Sequence, residues 1–279
     1  MKELVRCEWS KLKEFHICMM LTIMIVPTVL MISAYTMEES VYNYHGGWEN
    51  FFVMFVNAML CLIPITIIFT LVYYTRDYEY RIEEIVYASK YGKNNYMKVK
   101  MGITYGVSII IIIMIAIILF ISNSYWFGFS DGSGSIQLGS REFFSSVPYV
   151  ISWKQLILIA IVLGIFGNLA IASITMLITS FLKKSYQSLL ASSFVFAFLF
   201  LFSGNIGAHL SNNLEILKKI RIIVTLLPLY SMQWNRILTY KHESLIMPSY
   251  IMAYLLATFV VTICSWICYK RYGKSCVRS

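Results

Sequence analysis

Charge is scarce in this chain. Asp, Glu, Lys and Arg make up 13 % of its 279 residues, and hydrophobic residues make up 58 %. A soluble domain carries about 25 % charged and about 45–50 % apolar residues, and one of this size must still cover its core with polar surface. The shortage argues against a soluble enzyme and against a disordered chain. It argues equally against a small disulfide scaffold, and although six cysteines are present, CxxC spacing is missing. Cys18, Cys61, Cys264 and Cys268 fall in apolar stretches, where free cysteine packs as a small hydrophobe. Cys264 and Cys268 share a helix face without histidine or acidic company, so no metal site is expected.

Catalytic signatures are missing as well. Gly273, Lys274 and Ser275 lack the earlier glycine and the preceding strand of a phosphate-binding loop. His16, His45, His209 and His242 are scattered and form no HExxH. There is no Gly-x-Ser-x-Gly. No acidic residue falls in the middle of an apolar stretch, which disfavours a carboxylate proton relay. No internal repeat is visible, so an inverted-repeat transporter is not supported.

What the chain does have is long runs without charge. Six of them, 17–37, 50–75, 101–130, 155–182, 185–214 and 244–269, are long enough to cross about 30 Å of hydrocarbon as helices. The expected fold class is an all-α membrane protein, a single domain over 1–279. Its spans are placed at about 17–37, 52–75, 101–122, 156–180, 186–204 and 249–269. A seventh run, 222–235, has 14 residues and contains Pro228. It is too short to cross and fits a re-entrant or interfacial segment. The first span follows a charged lead and lacks a cleavage signal, so it is expected to be retained. Pro27 and Pro64 fall inside spans and permit kinks. The largest polar insert, 123–154, contains a flexible-looking run rich in Ser and Gly at 130–135.

The net charge is +9. With six crossings, sixteen basic residues fall on the side of both termini and seven on the other. The positive-inside rule then puts both termini in the cytoplasm. Basic residues that flank spans face anionic lipid heads, and without a separate basic domain no nucleic-acid partner is expected. The lead over 1–16 carries Val5, Trp9, Leu12 and His16 at helical spacing, with Lys2, Arg6 and Lys13 elsewhere. It reads as an interfacial helix on the inner leaflet, anchored by Trp9.

The loop 76–100 is the most informative segment. Ile82, Ile85, Val86 and Ser89 fall at i, i+3, i+4 and i+7, one face of a short helix. Glu79, Glu83 and Glu84 crowd its start, where acids favour a helix N-terminus. Gly92 can stop it, and Lys93 follows. An apolar stripe on a short cytoplasmic helix calls for burial against lipid or a protein partner.

This loop resembles the coupling loop of ABC-2 type transporter permeases. Glu79 matches the glutamate of that pattern, 82–89 its apolar stretch, Gly92 and Lys93 its turn, and Lys100 its closing lysine. Arg81 and Ile82 stand where the family has Gly-Thr, and the frequent proline at the turn is absent. Leu227, Pro228, Leu229 and Tyr230 resemble the family's extracellular dip before the last span. The resemblance implies the permease subunit of an ABC exporter, with six spans, in a bacterial plasma membrane. It implies a second permease subunit, the same or homologous, and a separate ATP-binding subunit that holds ATP and Mg; this chain would bind no cofactor itself. Glu79, Arg81, Ile82, Glu83, Glu84, Ile85, Val86, Ser89, Gly92, Lys93 and Lys100 would form the docking segment. Permeases of this composition resemble bacitracin- and lantibiotic-type self-protection exporters, which points to an antimicrobial peptide or an amphipathic or lipid-linked substrate. The competing readings are a membrane sensor or assembly protein that transports nothing, and an intramembrane enzyme.

Three amides complete the candidates. Asn57 and Asn168 fall within spans and Asn205 near a span end. Each needs a partner in lipid, either another helix or a pathway. Gly164, Gly167, Ala170 and Ser173 recur at three-residue spacing, and Gly102 and Gly106 form a GxxxG. Both patterns suit close packing, within one subunit or between two.

Overall fold

The computed structural model describes residues 2–11, 46–80, 92–129, 131–138, 144, 147, 149–182, 184–203 and 249–274. The first expected span at 17–37, the loop 81–91 and the segment 222–235 lie outside the described residues. The described part is helical. Helix α1 spans Lys2–Lys11, α2 Gly46–Glu79, α3 Gly92–Trp126, α4 Trp153–Leu182, α5 Ser185–Ser203 and α6 Ser249–Lys274. Among the described residues, four helical stretches are long and apolar enough to cross a membrane: Gly47–Glu79, Asn95–Trp126, Trp153–Leu182 and Ser249–Arg271. Ser185–Leu201 is apolar but shorter. The chain is thus an all-α protein of the membrane-embedded kind.

The helices outrun the uncharged segments that nucleate them. At 1.5 Å per residue, the 34 residues of α2 extend about 50 Å, well beyond about 30 Å of hydrocarbon. Both of its ends therefore carry polar groups, Glu49 near the start and Arg76, Asp77 and Glu79 at the close. Pro64 sits inside α2 on an exposed position. Its missing donor frees the Leu60 carbonyl, yet the helix runs on.

Successive helices point opposite ways. At one end of the bundle α1 meets the close of α2, Glu79 meets the start of α5, and Arg271 of α6 donates to the Ser180 carbonyl at 3.1 Å. At the other end Trp48 lies 4.4 Å from the Phe129 ring, and the Ser249 amide donates to the Tyr149 hydroxyl at 3.4 Å. These are called the α1 end and the cap end below. Helix α4 is central and packs against α2, α3, α5 and α6. Its buried Gly164, Gly167, Ala170 and Ser173 let neighbouring backbones come close. In lipid such packing takes over from the hydrophobic effect as the source of helix association. By contrast a Cβ on Gly102 or Gly106 would meet nothing within 4 Å.

The described residues of the insert between α3 and α4 fold back on one another. The Ile136 amide donates to the Ile151 carbonyl at 3.0 Å, and the Lys154 amide to the Gly132 carbonyl at 3.3 Å. Gln137 donates to the Tyr149 carbonyl at 2.8 Å. Ile136, Phe144, Val147, Ile151 and Trp153 are buried beneath this fold-back. Gly132 makes the reversal possible: its φ is +65°, and a Cβ there would come within 2.6 Å of the Trp48 ring. The apolar residues spaced through the insert, hidden among serines and glycines, hold it down as a cap.

Gly47 shows how tightly the cap closes. A Cβ there would stand 1.9 Å from the Gly128 carbonyl oxygen, a backbone atom that cannot swing aside. Gly47→Ala should therefore destabilise the detergent-solubilised protein by about 1–3 kcal/mol, read as a lower midpoint in thermal unfolding. An unchanged midpoint would mean that α2 and the cap do not approach this closely.

Candidate functional site

The polar chemistry of the described chain concentrates at the α1 end. On α1, Leu4, Glu8 and Lys11 recur at i, i+4 and i+7 and share one face. That face is turned to the bundle, with Leu4 and Glu8 buried. The Glu8 carboxylate accepts from the Tyr73 hydroxyl of α2 at 2.9 Å and pairs with Lys11. The Lys11 ammonium also reaches Asp77 of α2 at 3.4 Å. Asp77 in turn accepts from Lys100 and from the Tyr96 hydroxyl, both on α3.

Glu8, Lys11, Asp77 and Lys100 form a chain of alternating sign with no net charge. Glu8, Asp77 and Lys100 are 1 %, 5 % and 2 % exposed, so none of them can rely on water for compensation. The Lys100 ammonium lies 4.9 Å from the ring centroids of both Tyr73 and Tyr74 and 5.6 Å from Tyr96. Three aromatic rings and one carboxylate thus house it. Burial opposes the charge of Lys11, but its hydrogen bond to Glu8 and the charge of Asp77 prevail and hold its pKa above the ordinary lysine value.

A second contact lies one turn away. The Glu79 carboxylate accepts from the Ser185 amide at 3.2 Å and from the Ser185 hydroxyl. An acid on the first amide of α5 satisfies a free donor and complements the helix dipole. The Thr75 and Ser185 hydroxyls are 2.7 Å apart. Helix α2 therefore ends in two clamps, one to α1 and α3 and the other to α5.

A third polar contact lies deep between helices. Asn168 of α4 accepts from the Thr66 hydroxyl of α2 at 2.6 Å and donates to the Ser108 carbonyl of α3 at 3.4 Å. This is the interhelical partner that a buried amide needs. Asn57 is exposed on α2 and does not join it, and Asn205 lies outside the described residues.

The docking candidates separate in the same way. Arg81, Ile82, Glu83, Glu84, Ile85, Val86 and Ser89 lie outside the described residues. Gly92 and Lys93 open α3, so the glycine begins a helix there. Glu79 and Lys100, the two ends of the resembling pattern, hold partners inside this chain. Lys100 in particular is turned inward to Asp77. Trp9 is 45 % exposed on α1. Glu8, Lys11, Tyr73, Asp77 and Tyr96 had no place among the sequence candidates. Two signals were available: Glu8 and Lys11 share the face of Leu4, and Asp77 and Lys100 are charges at facing ends of consecutive spans.

Among the described residues no group of three or more His, Cys, Asp or Glu could hold a metal ion. The arrangement fixes helix ends relative to one another. The chain matches no family model and no curated protein.

Two outcomes follow for this geometry. Asp77→Asn alone strands the buried Lys100 charge and should cost about 3–5 kcal/mol, measured by denaturant unfolding in micelles, while Lys100→Met alone leaves Asp77 with Lys11 and should cost less. The double variant should recover much of that loss, whereas additive losses would refute the pairing. Asn168→Leu should cost about 0.6 kcal/mol, at most about 1.7, and should cost less in a Thr66→Val background, where only the contact with the Ser108 carbonyl is left to lose. A full second loss there would separate the two side chains.

Proposed function

We propose that this chain is the permease subunit of an ATP-driven exporter in a bacterial plasma membrane. ATP and Mg are handled by a separate ATP-binding subunit, and a second permease subunit, the same or homologous, completes the transport unit. The substrate class is an antimicrobial peptide or another amphipathic or lipid-linked molecule drawn from the bilayer.

The observation that carries this reading is the alternation of ends. Lys11 is at the α1 end and Trp48 at the cap end; α5 starts at the α1 end and α6 at the cap end. Lys11 and Trp48 thus lie at opposite ends, and so do the starts of α5 and α6. Added to α2, α3 and α4 before them and α6 after, this alternation supports six crossings with both ends of the chain on the α1 side. The basic residues put that side in the cytoplasm.

The clamps support the coupling role. The loop 81–91 joins α2 to α3, and both helices are tied together just beyond it by Asp77 and Lys100. A force applied to the loop by a nucleotide-driven partner would act on α1, α2, α3 and α5 together. The apolar stripe Ile82, Ile85 and Val86 is the surface for that partner.

Replacing Ile85 and Val86 with Asp should abolish co-purification with a soluble ATPase carrying a phosphate-binding loop, while the permease itself still elutes as a folded species. Survival of the complex would remove the docking assignment. Failure of the native chain to retain any such ATPase would favour the sensor or assembly reading.

A further inference from the structure

Helix α1 has a second face that the clasp does not use. Lys2, Val5, Arg6 and Trp9 recur at i, i+3, i+4 and i+7, so they share one side of the helix. All four are exposed, with Val5 at 40 % and Trp9 at 45 %. The opposite side, Leu4, Glu8 and Lys11, is held by the bundle. The exposed side pairs two cations with two apolar groups, one of them an indole. It belongs to a helix fastened at the level where α2 and α3 give way to polar residues. Indole rings favour the headgroup layer, and basic residues there attract anionic lipid.

We infer that this face of α1 is a binding site for anionic phospholipid headgroups, and that it links headgroup charge to the inner ends of α2 and α3. Lys2 and Arg6 bind the phosphates, while Val5 and Trp9 sit among the glycerol and upper acyl carbons. The helix is ten residues long, so the two faces are two sides of one rigid body. Whatever holds the lipid face also holds Glu8 against Tyr73 and Lys11 against Asp77. Anionic lipid therefore steadies the clasp, and its loss loosens the contact of α1 with α2 and α3. This inference rests on the membrane setting and not on the identity of a transported substrate, so failure of the ATPase co-purification would leave it untouched.

The test uses the full chain in lipid nanodiscs. A bimane fluorophore is attached at Val5→Cys in a background whose native cysteines are replaced. Spin-labelled phosphatidylglycerol and spin-labelled phosphatidylcholine are compared as quenchers at equal mole fraction. Phosphatidylglycerol should be enriched at the label by about five-fold for each basic residue engaged. Lys2→Gln with Arg6→Gln should erase that preference while leaving the elution profile unchanged. In the native chain, adding unlabelled phosphatidylglycerol should raise the thermal midpoint, and in the doubly substituted chain it should not. Equal quenching by the two lipids, or a preference that survives both substitutions, overturns the proposal. Quenching by neither lipid also overturns it and assigns the face to a protein partner.

Discussion

A charge withdrawn from water must find its counter-charge within the fold, and the described end of this bundle is arranged around that demand. Asp77 and Lys100 are buried on consecutive helices, and either one alone would be costly. Their pairing fixes how the close of α2 faces the opening of α3. Tyr96 uses the remaining capacity of Asp77. Tyr73 passes the connection on to Glu8, and through Glu8 and Lys11 the contact reaches α1, a helix that contributes no span of its own. A short amphipathic segment is thereby joined to the bundle by polar contacts on one face, which leaves its other face for the surroundings.

The same helix end answers a second demand. The first amides of α5 need acceptors, and Glu79 supplies a carboxylate to Ser185. Within three residues, α2 thus bears on α1, α3 and α5. Deeper in, Asn168 repeats the pattern with uncharged groups, joining α4 to Thr66 and Ser108. The Asp77 and Asn168 contacts each join more than two helices. That sharing follows from the medium: lipid gives apolar side chains no reason to prefer one another, so small residues and satisfied polar groups decide which helices touch.

The cap end is held by different means. There the chain reverses through Gly128 and Gly132, both at positive φ, and presses aromatic side chains together. Phe144 lies 4.9 Å from Trp153 and 5.9 Å from Phe52. A charged clasp thus holds one end of the described bundle and an aromatic cap the other. The charged end keeps its shape only while its partners stay paired.

Much of this fold was legible from composition. Uncharged runs at 50–75, 101–130, 155–182 and 244–269 announced α2, α3, α4 and α6, because a backbone in lipid has to satisfy its own hydrogen bonds and a helix does so locally. The small residues of α4 likewise declared a packing face. The fold-back of the polar insert after α3 was not legible, since its buried Ile136, Phe144 and Ile151 are too widely spaced to form a local pattern. The charged groups of the clasp left signals in the sequence, but their pairing did not. Glu8 and Tyr73 are 65 residues apart, and Asn168 and Thr66 are 102. Local periodicity decided which segments become helices and which groups are too polar to stay in lipid. Only the tertiary structure could decide which of those groups meet, because a buried charge accepts any partner of the right sign and the bundle geometry alone brings one within reach.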